Sequence, residues 1–193
     1  TFDQAPHNGA AIFALAGFDN GSTVAPAFTA LNTDLIPAVD DTYDIGTASK
    51  RWRNGKFVTV HAVYADVAER YASDTEITAG TVVQLGGAQE VTVTSEDATD
   101  EVFGVVSARP GFGLNNDAGS DQTHPWIAQV GRVDVKVKGT VNKGDRLIAS
   151  STPGIARAAT KAECTAFNVI GRALETKTTS GVGLVLTSVR VSH

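Results

Sequence analysis

The sequence predicts a mainly β protein. We expect a small barrel or sandwich built from two related half-units over about residues 75–193, preceded by an extended, loosely structured N-terminal segment. Three observations lead there. Glycine is abundant, with 19 residues in 193, and marks the places where tight turns are needed. Valine and threonine recur throughout, and β-branched residues suit a pleated, half-buried surface. The C-terminal part also repeats itself.

Composition narrows the function classes. Hydrophobic residues make up 42% and charged residues 19%, a globular balance. The net charge of −5 argues against a nucleic-acid partner held by phosphate neutralisation. Cys164 is the single cysteine, so no intrachain disulfide forms, and a half-buried or buried thiol is expected. No apolar run approaches the ~20 residues of a membrane span, so no membrane insertion is expected. No signal-peptide pattern opens the chain, and Thr1 in first place suggests a processed or trimmed start.

Residues 1–43 read as an attachment or oligomerisation segment. Its one apolar run, Ala10 to Ala16, is bracketed by Gly9 and Gly17, too short for an independent helix. Such a start needs another chain or another part of a particle to pack against. Residues 44–74 read as a joint. A turn comes first, with Lys50, Arg51, Arg53 and Lys56 solvated around a buried Trp52. A strand follows from Lys56 to Tyr64, on which Val58, Val60, Ala62 and Tyr64 share the more apolar face. A short helical turn, Ala65 to Tyr71, then closes the joint.

Residues 75–193 form the β-domain, and here the repeat lies. Ile77-Thr-Ala-Gly80-Thr-Val-Val-Gln-Leu85 matches Val141-Asn-Lys-Gly144-Asp-Arg-Leu-Ile-Ala149. Val102-Phe-Gly104-Val-Val106 matches Val169-Ile-Gly171-Arg-Ala173. Each copy ends on an alternating run, Ile127 to Val137 and Val182 to Val191. Each half-unit is thus a turn, a strand, a glycine-marked strand and a long closing strand. A unit of this size cannot bury its own apolar face, so two pack together. The extra length of the first copy, Ser107 to Pro125, predicts a surface loop suited to recognition. Thr160 to Thr165 is the best candidate for a helical turn in this half.

Little catalytic chemistry is visible. His7, His61, His124 and His193 show no metal-ligand spacing, so no metal and no cofactor are expected. Gly111-Phe-Gly113 lacks the strand–loop–helix setting of a dinucleotide site. Ser107, Ser150 and Ser151 lack a nucleophile elbow. Asp66 and Glu69 are the one carboxylate pair to weigh. On a helical turn the i, i+3 spacing puts them on one face, where they could divide acid and base work. The plainer reading has Asp66 capping that turn and one of the two pairing with Arg70. Phe112, Asn115, Asn116 and Trp126 are candidate contact residues in and below the long loop, although Trp126 as a core residue is the stronger expectation.

At these residues the chain resembles a known family. Asp44-Ile-Gly-Thr-Ala-Ser-Lys-Arg-Trp-Arg-Asn54 resembles a segment common in bacteriophage tail-fibre and appendage proteins. Ala65-Asp-Val-Ala-Glu69 resembles the opening of the self-cleaving chaperone module of neck appendage proteins. Gly104-Val-Val-Ser107, Gly131-Arg-Val133 and Gly144-Asp-Arg-Leu147 look like later elements of that module, so the resemblance spans about residues 40–193. It implies a virion structural protein, usually a homotrimer, with other virion proteins and a host surface glycan or protein as further partners. It places the protein in the virion, on the tail or capsid surface. It also implies, in self-cleaving members, scission before the Asp with help from the Glu, here Ala65–Asp66 with Glu69. Ala65 brings no hydroxyl to that bond, so an uncut, non-enzymatic joint is the expected state. A carbohydrate-binding tip is a further alternative, which wants exposed aromatics beside paired carboxylates.

Overall fold

The computed structural model describes residues 39–42 and 44–191. The expected attachment role of residues 1–34, and His7 and His193, lie outside them. The chain divides into two units, Thr1–Lys56 and Phe57–His193. Of the first, the described part is a tight turn in which Thr47 and Lys50 exchange backbone hydrogen bonds of 3.0 and 3.2 Å. The basic residues there are solvated, as expected. Trp52 is not buried: it is 66% exposed, because among the described residues no apolar layer covers it.

The described residues of the second unit form ten strands. These are β1 (Asp66–Arg70), β2 (Val82–Leu85), β3 (Val91–Val93), β4 (Val102–Ser107) and β5 (Phe112–Leu114). They continue with β6 (Trp126–Lys138), β7 (Arg146–Ala149), β8 (Ala156–Ala159), β9 (Gly171–Ala173) and β10 (Val182–Arg190). A single 3-10 turn, Lys161–Glu163, falls within the stretch expected to turn helically; the Thr160 N–H donates to the Glu163 carboxylate at 2.8 Å.

β6 is the spine. From Gln129 on its residues alternate inward and outward, with Val133, Val135 and Val137 buried, whereas Ile127 and Ala128 are buried in succession. Along its C-terminal part it pairs with β8 on one side and β10 on the other. The order β6-β8-β7-β9-β10 therefore returns to β6 and closes a five-stranded barrel. Closure removes the barrel's edges. The N-terminal part of β6 carries β4, β2 and β3 on one side and β1 with β5 on the other. The barrel core includes Leu147, Ile170, Val135 and Val185, all without solvent contact. A second cluster, Ile77, Val83, Val91, Phe103, Val106 and Ile127, fills the space beside it. Each such buried aliphatic side chain contributes about 1.5–3 kcal/mol relative to exposure.

The half-units match in detail. Gly80 N–H donates to Val106 at 2.8 Å, and Val106 N–H donates back to Thr81 at 2.9 Å. Gly144 N–H donates to Ala173 at 2.8 Å, and Ala173 N–H donates back to Asp145 at 3.0 Å. Gly80 and Gly144 adopt φ of +83° and +93°, the left-handed turn that the repeat predicts there. Gly104 and Gly171 lie under a crossing closing strand: a Cβ on either would meet the carbonyl oxygen of Ala128 at 2.8 Å or of Ser188 at 2.3 Å.

Two further local expectations are overturned. The run Lys56 to Tyr64 forms no strand, and Val58 and Val63 are almost fully exposed. Strand composition is insufficient without a neighbour to take the backbone hydrogen bonds. The expected helical turn after it is instead β1, because β5 and β6 flank Asp66–Arg70 and pair with it on both sides.

A clamped joint at Ala65–Asp66

The peptide joining Ala65 to Asp66 enters the sheet at the start of β1. The Ala65 carbonyl accepts the Arg132 N–H at 3.2 Å. Gly131 sits directly against this peptide with φ +123°, and a Cβ there would meet the Ala65 oxygen at 2.3 Å and the Asp66 Cα at 2.4 Å. On the other side Gly111 leaves no room for a side chain beside the Tyr64 carbonyl, where a Cβ would come within 2.1 Å. Two glycines thus admit the joint. The sequence signal was available at Gly131, since a glycine inside an alternating strand marks close backbone approach.

Asp66 is 4% exposed. Its Oδ1 accepts the Gly111 N–H at 3.3 Å, while Oδ2 is buried with no hydrogen-bond partner among the described residues. It caps no helical turn. Asp66 lines a cleft of about 350 Å³ together with Tyr64, Ser107, Arg109, Arg132 and Leu184. Burial of a carboxylate oxygen without a partner is costly, which marks this position as one to account for.

Glu69 is three residues on, and in a strand that places it on the opposite face. Asp66, Ala68 and Arg70 point inward; Val67 and Glu69 point outward. One chain therefore does not bring the two carboxylates together. Glu69 accepts the Tyr71 hydroxyl at 3.2 Å, and Tyr71 packs edge-on against Phe103. Burial first, and then the Glu69 charge, push the Tyr71 phenol above its ordinary pKa.

Arg70 does not pair with either carboxylate. Its guanidinium donates to the His124 carbonyl at 2.6 Å and to Asp121 at 2.8 Å, and lies over the Trp126 ring. Trp126 is half-buried and packs against the barrel core, with its other contact at Gly113, where a Cβ would touch the ring at 2.7 Å. The sequence reading paired Arg70 with a neighbouring carboxylate and missed its actual partners, which lie about fifty positions away.

The long loop carries β5, which adds a parallel strand to β1. Asn115 takes the left-handed turn after it, φ +57°, and donates to the Arg70 carbonyl at 3.1 Å. Asn116 is exposed and Phe112 half-exposed. His124 serves as a turn residue, its N–H donating to Ser120 at 2.6 Å. Cys164 is half-buried, donating to the Thr160 carbonyl at 3.2 Å. Among the described residues no three His, Cys, Asp or Glu side chains gather as metal ligands. No described helix is long and apolar enough to cross a membrane.

No protein-family model and no curated protein matches the chain. Among solved structures it is similar to the pre-mature bacteriophage phi29 gene product 12, with a TM-score of 0.53 and 16% identity over 74% of this chain and 24% of that one. This fold also occurs in a bacteriophage protein. A C-terminal fragment of gene product 12 gives a TM-score of 0.49 and 17% identity over 65% of this chain and 100% of the fragment. The chain thus spans about a quarter of the pre-mature gene product 12 that it matches. At such identity the likeness is one of fold.

Proposed function

We propose that the protein is a non-enzymatic bacteriophage virion component, a tail fibre, appendage or particle-surface protein. Its N-terminal part anchors it to the particle or to sister subunits, and the β-domain is displayed. The observation that carries this reading is the fold shared with phi29 gene product 12. The tail-fibre-like segment Asp44 to Asn54 points the same way.

Self-association, as a homotrimer, belongs to the proposal. Phe112, Val67 and Val130 are laterally aligned across β5, β1 and β6 and all face solvent. Such a row on one sheet face is an apolar surface suited to a partner subunit. Light scattering at micromolar concentration tests it: a trimer is expected, and a monomer sinks the fibre reading. Mass spectrometry of purified particles tests the virion assignment separately.

A second reading, single-turnover scission at Ala65–Asp66, is favoured by one observation. The bond is clamped beside a buried carboxylate oxygen with no described partner. Within one chain Glu69 does not reach that face, so the first reading stands ahead of it.

A further inference from the structure

Asn54-Gly55 stands within the basic stretch Lys50 to Lys56, which holds four cationic side chains and no carboxylate. The stretch follows the Thr47–Lys50 turn and joins no strand, and every residue from Arg51 to Val60 is exposed. Among the described residues, no hydrogen bond holds the Asn54 amide or the Gly55 N–H. Gly55 carries no Cβ, so the backbone around it turns freely. The Gly55 nitrogen can therefore swing against the Asn54 side-chain carbonyl, a contact that closes a small imide ring.

The other described asparagines lack this combination. Asn168 is 1% exposed; its Oδ1 accepts the Thr165 N–H at 2.9 Å and its Nδ2 donates to the Glu163 carbonyl at 2.9 Å. The β-branched Val169 follows it. Asn142 precedes Lys143, whose N–H is donated to the Thr176 hydroxyl at 3.1 Å. Asn115 gives its Nδ2 to the Arg70 carbonyl. Asn116 is exposed, and the residue after it is Asp117, whose carboxylate opposes an anion forming at its own nitrogen. At Asn54 the field has the opposite sign. Lys50, Arg51, Arg53 and Lys56 favour both the amide anion that attacks and the oxyanion formed when it adds.

We propose that Asn54-Gly55 is a self-modification site, where the chain converts its own asparagine into aspartate and isoaspartate. Hydroxide takes the Gly55 N–H proton, and the nitrogen attacks the Asn54 Cγ. An N–Cγ bond forms, the Cγ–Nδ2 bond breaks, and Nδ2 leaves as ammonia with a proton from water. Water then opens the imide. Cleavage at N–Cγ gives aspartate. Cleavage at the bond to the Asn54 backbone carbonyl carbon gives isoaspartate, whose main chain runs through the former side chain. The sum is an amide plus water giving a carboxylate and ammonium, so no oxidant, reductant or cofactor enters. Each conversion sets a carboxylate among the cations of Lys50 to Lys56, and loss of ammonia makes it one-way. The segment thereby carries a record of the molecule's age. The inference rests on this local chemistry and not on the assembly role proposed above.

The test incubates the full chain in mildly alkaline buffer, digests it after lysine and follows the peptide Arg51–Lys56 by mass spectrometry against an unincubated sample. Enzymatic methylation of isoaspartate is the second readout. Digestion after lysine leaves Asn8 and Asn20, which also precede glycine, in a separate peptide. The Arg51–Lys56 peptide should gain aspartate and isoaspartate forms, faster as pH rises, while the peptide holding Asn168 stays unchanged. Gly55→Val should slow conversion about tenfold or more, because a β-branched side chain resists the rotation that closes the ring. Arg51→Gln with Arg53→Gln should slow it about twofold, the scale of exposed charges acting through water. An Asn54 that persists through the incubation overturns the proposal. Equal conversion of Asn168, Gly55→Val converting at the unsubstituted rate, or the double arginine variant converting no more slowly would do the same.

Discussion

The guanidinium carbon of Arg70 lies 4.0 Å from the centroid of the Trp126 ring. One side chain thereby ties β1 to the start of β6 and, through His124 and Asp121, to the long loop between them. Arg70→Ala removes the cation–π contact and leaves the His124 carbonyl without its donor. A loss of about 2 kcal/mol is expected in chemical denaturation. Protease nicking between residues 115 and 124 should rise at the same time. Arg70→Lys should recover little, since an ammonium cannot lie flat on the ring while donating to two partners.

The glycines that separate strands make a paired prediction. Gly104→Ala and Gly171→Ala each push a Cβ into the backbone of the neighbouring strand. Both should cost about 1–3 kcal/mol, the scale of overpacking. Gly131→Ala adds left-handed strain to a clash with Asp66 and should cost about 3 kcal/mol or more. Denaturation midpoints read all three, with Gly181→Ala, which meets no neighbour, as the neutral control.

Self-association through the β5–β1–β6 face predicts a clean separation of assembly from folding. Val67→Lys with Val130→Glu, opposite charges because the two positions face each other across β1 and β6, should yield monomers by light scattering while the thermal midpoint of the β-domain changes little. Both side chains already face solvent, so unfolding of this variant would count against the assignment.

The joint predicts an intact chain. Denaturing mass spectrometry of the purified protein should show a single species, unchanged in Glu69→Ala. Appearance of the two fragments meeting at Ala65–Asp66, and their loss in Asp66→Asn, would establish the scission reading instead.

Alkaline stability should depend on Tyr71. Its phenol is raised above the ordinary value in the folded protein, so the unfolded chain releases this proton first as pH rises. The resulting stabilisation is fully present below about pH 10 and is lost as pH climbs through the raised value. Tyr71→Phe should flatten that decline in thermal midpoints measured between about pH 9 and pH 12.

What was legible in the sequence was the repeat, because its glycines occupy left-handed turns or close backbone approaches that side chains rarely tolerate. Gly80 with Gly144, and Gly104 with Gly171, mark equivalent turns and equivalent close approaches. The hairpin partners β3 and β8 were not legible. Val91-Thr-Val93 is three residues long, and Ala156-Arg-Ala-Ala159 has poor strand propensity; each is extended because β2 or β7 pairs with it. β1 failed for the same reason in reverse. Asp-Val-Ala-Glu-Arg suits a helix locally, and pairing on two sides overrides that preference. The clamp on Ala65 is a product of register, which no local pattern announces.

The 13-residue β6 serves both half-units, and its barrel end is completed only by β8 and β10. During synthesis, Val133 to Val137 therefore exist for some forty residues of elongation before Val182–Arg190 can cover their outer edge. Closure by such distant pairing is slow. A chain arrested before residue 182 would present an open, valine-rich edge to its neighbours on the polysome, and premature termination there should produce aggregates rather than a shorter folded protein.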